Sequence, residues 1–348
     1  MAAMQFKPIR QSFNGGKARW ALSLALLSFG FFTSGMAGAQ VTAANTENSA
    51  CPPPPDAMTP ERIQQGLRAA QDRGPLWRIT KGGLSSWLYG TAHLSSAEWL
   101  FPGRQVVTAM QQADMLALEL NLLDAESLKP LSQPADPAKV ARILDAPRIA
   151  RIARQTALAC LPPNALGNMR PVMQAAALMA LDARHNGFHI GFGIDAMLAG
   201  MAQALKKPIL ALETAQDQLD LLSGRNEAEE RLFVDSALDQ LESGKARSQM
   251  KLMLQVWAQA DIKKLDDYAA WCNCMDTAED RAFMKRLMDD RNVLMAEKIS
   301  QLHAGGKQVF AGVGMLHMVG AQGLPALMRA RGYQVELVSA TISTAAKP

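Results

Sequence analysis

Aromatic residues are scarce in this sequence of 348 residues, which contains only 3 Tyr, 6 Trp and 11 Phe. The hydrophobic share is nonetheless 49%, and 20 methionines contribute to it, so the predicted core is aliphatic and rich in helix. Charged residues make up 20% of the chain. This balance excludes a disordered chain and is typical of a globular protein.

The sequence also has no net positive charge once the N-terminus is set aside. Residues 1–39 contain Lys7, Arg10, Lys17 and Arg19 and no acidic residue. Removing these four from the 36 basic residues leaves 32, which equals the 32 acidic residues. A neutral domain lacks the basic surface that nucleic-acid binders use, so we expect no nucleic-acid partner.

Several catalytic motifs are missing from the sequence. It has no HExxH helix of a zinc protease, no GxSxG nucleophile elbow and no Walker loop for nucleotide phosphates. The glycines at 312 and 314 form GxGxxH rather than GxGxxG, which gives no support to dinucleotide binding.

An export signal is indicated at the N-terminus. The apolar run 20–32 follows the basic residues and precedes an A-x-A pattern at 37–39, which is the order of a secretory signal peptide. Because a membrane span needs roughly 20 apolar residues, an uncleaved anchor is the less favoured alternative. We therefore predict a signal peptide at 1–39, a periplasmic or secreted protein, and no stable membrane span after cleavage.

Cleavage is expected between Ala39 and Gln40, because the A-x-A pattern and the length of the apolar run agree on that bond. N-terminal sequencing of the exported protein is the measurement. A mature chain that still begins at Met1 would contradict the prediction.

All four cysteines, Cys51, Cys160, Cys272 and Cys274, follow the predicted signal peptide. An even number of cysteines in an exported chain predicts disulfides. We favour a bond between Cys51 and Cys160. Cys272 and Cys274 are too close in sequence for an easy bridge, so they either form a labile bridge or pair elsewhere.

Residues 40–58 are polar and then rich in proline, which predicts an extended linker before an α/β domain at 59–348. Apolar runs without alternation predict strands that are covered on both faces, as in parallel sheets. These runs lie at 87–89, 115–120, 208–214, 309–313 and 333–338. Helical patterns fill the intervals and dominate residues 125–300. The predicted fold is a mostly parallel sheet with flanking helices and a large helical insertion.

Four polar side chains stand at or just beyond the carboxyl ends of predicted strands: His93, Glu119, Glu213 and His317. Ligands bind at this edge in open parallel sheets. Each of the two histidines closes a Gly-x-x-His segment, in which the glycine lets the backbone turn where the strand ends. Since histidine is the commonest metal ligand, two histidines in the same local motif favour a functional site at this edge.

Each of these residues also has a structural interpretation. Glu119 could face solvent at its strand end or cap a following turn, and Glu213 could cap a helix that begins near Ala215. A histidine at a strand end is often structural. His185 and His189 have the i,i+4 spacing of a helical metal pair, but the glycine at 187 favours a loop there.

The pattern as a whole resembles the TraB/GumN family. The resemblance rests on the Gly-x-x-His segments at 88–93 and 313–317, on Ala-Leu-Glu-Leu at 117–120 and on Leu-Glu-Thr at 212–214 with Gln218. Gly-Ile-Asp at 193–195, Asp-Arg-Asn at 290–292 and the segment 323–335 extend it, so that it covers roughly 75–338. The family includes the TIKI metalloproteases. The resemblance implies a fold like that of erythromycin esterase and the haem-binding ChaN protein.

The resemblance favours a metal-dependent, peptidase-like hydrolase with an unknown peptide or small-molecule substrate. His93, Glu119 and His317 would bind a divalent ion, for which Zn, Mn and Co are all suitable. Glu213 would act as a general base or a further ligand, and Arg291 would stabilise the oxyanion.

Two alternatives remain open. The protein could be a metal-free, esterase-like hydrolase in which a histidine activates water and Glu119 orients it. It could also be a non-catalytic periplasmic protein for ligand binding or envelope assembly. Asp195, in the Gly-Ile-Asp motif, either orients a histidine or caps the helix that it opens.

Overall fold

The computed structural model describes residues 51–338, apart from residues 53, 56 and 273. The predicted signal peptide and most of the predicted linker lie outside these residues. In the described part of the chain, no helix is long and apolar enough to cross a membrane.

One six-stranded mixed sheet forms the centre of the protein, with the strand order β4-β3-β5-β2-β1-β6. Strands β2, β3, β4 and β5 run parallel to one another, and β1 is antiparallel to both β2 and β6. The predicted mostly parallel α/β sheet is therefore confirmed. The strands are β1 Leu76–Lys81, β2 Leu84–Thr91, β3 Met115–Leu118, β4 Ile209–Ala211, β5 Val309–Gly314 and β6 Gln334–Leu337.

Strand β1 was not predicted, and the predicted run 87–89 covers only the middle of β2. Trp77 and Ile79 in β1 are buried, whereas Arg78 between them is exposed. Such alternation is normal in an antiparallel strand near a sheet edge and gives no continuous apolar run. The other predicted strands are present, although β4 is shorter than the run 208–214.

Helices cover the sheet and, apart from β4, fill the chain between β3 and β5, which confirms the predicted helical insertion. They are α1 Pro60–Arg68, α2 Arg104–Gln112, α3 Ala125–Ser132, α4 Pro137–Ile143, α5 Ala146–Leu158, α6 Pro171–Asp182, α7 Ile194–Ala204, α8 Ala215–Ser223, α9 Glu227–Glu242, α10 Lys245–Ala258, α11 Ile262–Asp266, α12 Tyr268–Trp271, α13 Ala278–Met284, α14 Asp290–Ala304 and α15 Leu324–Ala330. Short 3₁₀ helices occupy Ala97–Leu100, Ala183–Asn186, Ile190–Phe192 and Met315–Met318. A π-helical turn at Lys285–Asp289 joins α13 to α14.

Neighbouring residues of each central strand belong to two different hydrophobic cores. In β2, Tyr89 packs with the helical insertion, whereas Leu88 packs with α14 and α15 on the opposite face. Phe310 and Ala311 divide in the same way in β5. Burial on both faces explains why these strands read as continuous apolar runs.

Both pairs of cysteines form disulfides. Cys51 pairs with Cys160, as predicted, and Cys272 pairs with Cys274. The tight spacing of the second pair therefore does not prevent its bridge. The first bond is the one with long-range consequences, because its cysteines are 109 residues apart in sequence.

Loss of the long-range disulfide should destabilise the protein. Closing a loop of this length restricts the unfolded chain, so replacing both Cys51 and Cys160 with Ser should lower the free energy of unfolding by about 2–4 kcal/mol. Urea unfolding measures the difference, and thiol labelling of the denatured wild type should detect no free thiol. An unchanged urea midpoint in the double variant would contradict the prediction.

Candidate active site

The four predicted strand-end residues lie at one edge of the sheet. Glu119 directly follows β3, and Glu213 follows β4 by two residues. His93 lies two residues beyond β2, and His317 lies in the 3₁₀ turn after β5. Since these four strands are parallel, their carboxyl ends meet at the same edge, where α/β proteins bind ligands.

Glu119 is almost fully buried, and both of its carboxylate oxygens accept hydrogen bonds. The backbone N–H of Gly314 donates to Oε1 over 2.8 Å. Arg291 Nη2 donates to Oε2 over 2.7 Å, and Gln218 Nε2 donates to the same oxygen over 3.2 Å. These partners offset the cost of burying a carboxylate, so the solvent-facing alternative for Glu119 is wrong.

Glu213 binds the same guanidinium. Arg291 donates to Glu213 through both Nε and Nη2, with 2.7 Å between Nε and Oε1. Gln218 Nε2 also donates to Glu213 over 2.9 Å. The helix-cap alternative for Glu213 is wrong, because Thr214 caps α8 by accepting a hydrogen bond from Asp217 N–H.

Arg291 lies at the centre of this charge network. Burial acts to lower the pKa of its guanidinium, but the hydrogen bonds and charges of Glu213 and Glu119 outweigh that effect and raise the pKa. Its remaining terminal nitrogen, Nη1, donates to the Leu287 carbonyl in the π-helical turn over 2.9 Å. π-helical turns are frequent at functional sites, and this one directly precedes the helix that carries Arg291.

His93 is held by a carboxylate on its inner side. Its Nδ1 contacts Asp195 Oδ2, and the Thr91 hydroxyl donates to Asp195 Oδ1 over 2.6 Å. Asp195 belongs to the first turn of α7, which is fixed to the segment directly after β2 by a hydrogen bond from Ile194 N–H to the Ala92 carbonyl. Of the two roles considered for Asp195, the contacts match orientation of a histidine.

His317 is held in a similar way by an amide. Its Nδ1 lies 2.6 Å from Asn292 Oδ1. Asn292 Nδ2 donates to the Gln322 carbonyl, so its oxygen faces the imidazole and Nδ1 is the protonated nitrogen. The lone pair of His317 therefore lies on Nε2.

Both imidazoles are uncharged at neutral pH. Burial lowers the pKa of His93 to about 3, although the charge of Glu119 acts in the opposite direction. Burial and then the charge of Arg291 lower the pKa of His317 to about 3. Burial raises the pKa of Asp195 to about 8, so the Asp195–His93 pair gains a proton as the pH falls through that range.

Three of the predicted residues converge on Gly314. A Cβ atom at this position would lie 3.1 Å from Glu119 Oε1, 3.6 Å from His93 Nε2 and 3.6 Å from His317 Cδ2. His93 Nε2 itself lies 4.0 Å from Glu119 Oε1. The absence of a side chain at Gly314 thus leaves room directly beside His93 Nε2 and Glu119 Oε1.

The three-ligand metal site stays a prediction. In the described ranges, no group of three His, Cys, Asp or Glu side chains is spaced to hold a metal ion. In the arrangement observed, the donor spacing does not fit a three-ligand ion, and Arg291 already provides a positive charge beside Glu119. His185 lines a separate cavity, and His189 packs its ring against Phe192.

Some contributors to the site could not be assigned from the sequence. Thr91, Asn292 and Gln218 each hold a charged or ring side chain of the site. Gln218 and Asn292 occur in the motifs that carry the family resemblance, and only this resemblance indicated in the sequence that they belong to the site. Thr91 lies inside a Gly-x-x-His segment, and its role depends on a residue 104 positions away.

Fold and site together define an α/β protein with two anchored histidines and a buried Glu–Arg–Glu cluster at the carboxyl edge of its sheet. The chain belongs to the TraB/PrgY/gumN family, whose sequence model matches residues 75–337. No curated protein and no solved structure matches the chain significantly.

Removing the buried guanidinium should destabilise the fold. Arg291→Met would leave the carboxylates of Glu119 and Glu213 buried without their cation, which should cost about 3–5 kcal/mol of unfolding free energy. Arg286→Met is the matched control, because this more exposed arginine lies 3.5 Å from its nearest acidic partner and should cost less than about 1 kcal/mol. Urea unfolding compares them, and equal losses would contradict a special role for Arg291.

Proposed function

We propose that the protein is a hydrolase in which His93 and Glu119 activate a water molecule without a resident metal ion. The observation that carries the proposal is the 4.0 Å separation between His93 Nε2 and Glu119 Oε1. A water that donates hydrogen bonds of about 2.8 Å to both atoms spans this distance with an angle of about 90° between the bonds. Both of its hydrogens would then point into the protein, and a lone pair would face the substrate.

The histidine, its carboxylate partner and the Glu–Arg–Glu cluster each have a chemical role in this proposal. His93 accepts the proton of the attacking water at Nε2 and returns it to the leaving group. Asp195 orients the imidazole and stabilises its charged form, as the acid of a catalytic triad does. Glu119 orients the water through Oε1, while Arg291 neutralises charge at Oε2. In this scheme Glu213 and Arg291 position Glu119, rather than acting as the base and the oxyanion donor that the sequence suggested.

A metal-dependent hydrolase is the second candidate. The specific observation in its favour is that both histidines contact an oxygen acceptor through Nδ1, as metal-binding histidines usually do. His93, His317 and Glu119 would hold the ion, which would supply Lewis acid activation of water and carbonyl. The three side chains would first have to move, because no group of three in the described ranges is placed to hold an ion.

Two independent features support export as part of this proposal. The signal-peptide pattern at 1–39 and the two disulfides both favour an exported protein. We infer a periplasmic or secreted hydrolase that acts on a small molecule or peptide. A non-catalytic binding role is the outcome if no hydrolysis is found.

Activity should depend on His93 and not on an added metal. His93→Ala should lower kcat/KM on a panel of simple esters by about 10²–10⁴-fold, the usual contribution of a general base, with its circular dichroism spectrum unchanged. His185→Ala is the matched control, because His185 lines a separate cavity, and it should keep full activity. Metal analysis of the purified protein and assay in chelator accompany the panel. A stoichiometric ion, together with chelator-sensitive activity, would reject the metal-free mechanism in favour of the second candidate.

The pH profile should follow the Asp195–His93 pair. Below about pH 8, the raised pKa of Asp195 leaves an extra proton on the pair, so Nε2 carries hydrogen and cannot accept another. We expect kcat/KM to rise with pH, with a midpoint above the ordinary histidine value of about 6.5. Asp195→Asn should be slow at all pH values, because its amide would donate to Nδ1 and leave hydrogen on Nε2. A wild-type profile that is flat between pH 6 and 9 would contradict this.

A further inference from the structure

The pocket beside His93 Nε2 and Glu119 Oε1 has apolar walls. Leu118, Leu120, Leu122, Ile190 and Ala196 line it, together with the backbone at Gly193. Its polar side chains are His93, Glu119 and Asp195, and each of them already has a hydrogen-bond partner within the protein. The walls can therefore receive an apolar group, and they present little that would bind a polar one.

The charge around this pocket is negative or neutral. Among the residues that the structure describes, no Lys or Arg lines it. The nearby guanidinium of Arg291 is shared between Glu119 and Glu213, so the carboxylates of this cluster outnumber their cation. A substrate with a carboxylate or phosphate close to its reacting carbon would meet repulsion, which is strong in a partly desolvated site.

The pocket is also small. The centre of a water molecule can occupy about 30 Å³ of it, and one water needs roughly 10–15 Å³ on this measure. There is room for about two or three water-sized groups in all, and the attacking water takes one of these places. Leu122 and Ile190 are only partly buried and form the rim that a longer chain would have to displace.

The rim is fixed to the catalytic strand. Ser95 and His189 exchange backbone hydrogen bonds, which places Ile190 next to the segment that carries His93. A Cβ atom at Gly193 would lie only 2.7 Å from the His93 carbonyl oxygen, so the two segments are in close contact. The side chain of Ile190 is therefore held at the rim by packed backbone.

We infer that the substrate is a carboxylic ester with a short, apolar and uncharged acyl group, an inference that rests on the proposed hydrolase function. Water attacks the acyl carbon, and its proton moves to His93 Nε2. The bond between the acyl carbon and the alcohol oxygen then breaks, and that oxygen takes the proton from His93. One ester and one water give one acid and one alcohol.

The charge requirement is tested with two esters of matched shape. Methyl butyrate and monomethyl succinate differ by a terminal methyl group against a carboxylate, and acid release is followed in a pH-stat with His93→Ala as the baseline. We expect kcat/KM for monomethyl succinate to be at least about tenfold lower. Equal or faster hydrolysis of the succinate ester would overturn the inference.

The size limit is tested with a longer ester. Methyl hexanoate should react at least about tenfold more slowly than methyl butyrate in the wild type. Ile190→Ala opens the rim and should reduce this difference. An equal preference in wild type and variant would overturn the assignment of the rim.

Neighbouring leucines provide a matched pair of variants. Leu122→Asp places a negative charge in the pocket wall and should lower kcat/KM for methyl butyrate by at least about tenfold. Leu123→Asp changes the adjacent residue, which is exposed and does not line the pocket, and should leave the rate unchanged. Equal effects of the two substitutions would count against the pocket as the acyl site.

Binding separates failure of this inference from failure of the proposed function. Butyramide and succinamate repeat the two acyl groups in forms that do not turn over readily, and their binding is measured from shifts of the His93 imidazole NMR signals. Preferential binding of butyramide without ester hydrolysis would leave the acyl site intact and reject the hydrolase. Hydrolysis without discrimination by charge or length would reject the acyl site alone. Neither binding nor hydrolysis would reject both.

Discussion

The buried guanidinium of Arg291 is the interaction on which the arrangement of this site depends. It joins Glu119 after β3 to Glu213 after β4, and it reaches both from the first turn of α14. Three segments of the chain that are far apart in sequence are thereby fixed at one edge of the sheet. A buried carboxylate without a partner is costly, so neither acid can occupy its position unless the arginine and the π-helical turn that supports it are also in place.

The two histidines are positioned by a different principle. Each is held at Nδ1 by an oxygen from a helix, Asp195 in α7 and Asn292 in α14. Their reactive nitrogens are thus defined by contacts on the far side of each ring, and not by contacts with one another. Asn292 directly follows Arg291, so a single helical turn supports both the charge cluster and the second histidine.

The local part of this site could be predicted from the sequence, and the long-range part could not. His93, Glu119, Glu213 and His317 were recognisable because each follows an apolar run, and parallel strands bring such ends together. Arg291 lies 172 residues from Glu119, and Asp195 lies 102 residues from His93. No local pattern shows which carboxylate a distant arginine will bind. The fold followed the same division: strands buried on both faces were visible as continuous runs, whereas β1 was hidden by its alternating exposure.

The two carboxylate oxygens of Glu119 have different roles, since one binds the charge cluster and the other faces His93. Oε2 accepts hydrogen bonds from Arg291 and Gln218, while Oε1 accepts from the backbone of Gly314 and faces His93. When the imidazole gains a proton, the negative charge of Glu119 favours the charged ring, whereas Arg291 opposes it. Placing the arginine on the far oxygen reduces that opposition and leaves the near oxygen free to orient a reactant. Both the guanidinium of Arg291 and the metal ion of the second candidate function would bind the carboxylate of Glu119. The position of Arg291 therefore affects both the stability of the fold and the choice between metal-dependent and metal-free chemistry.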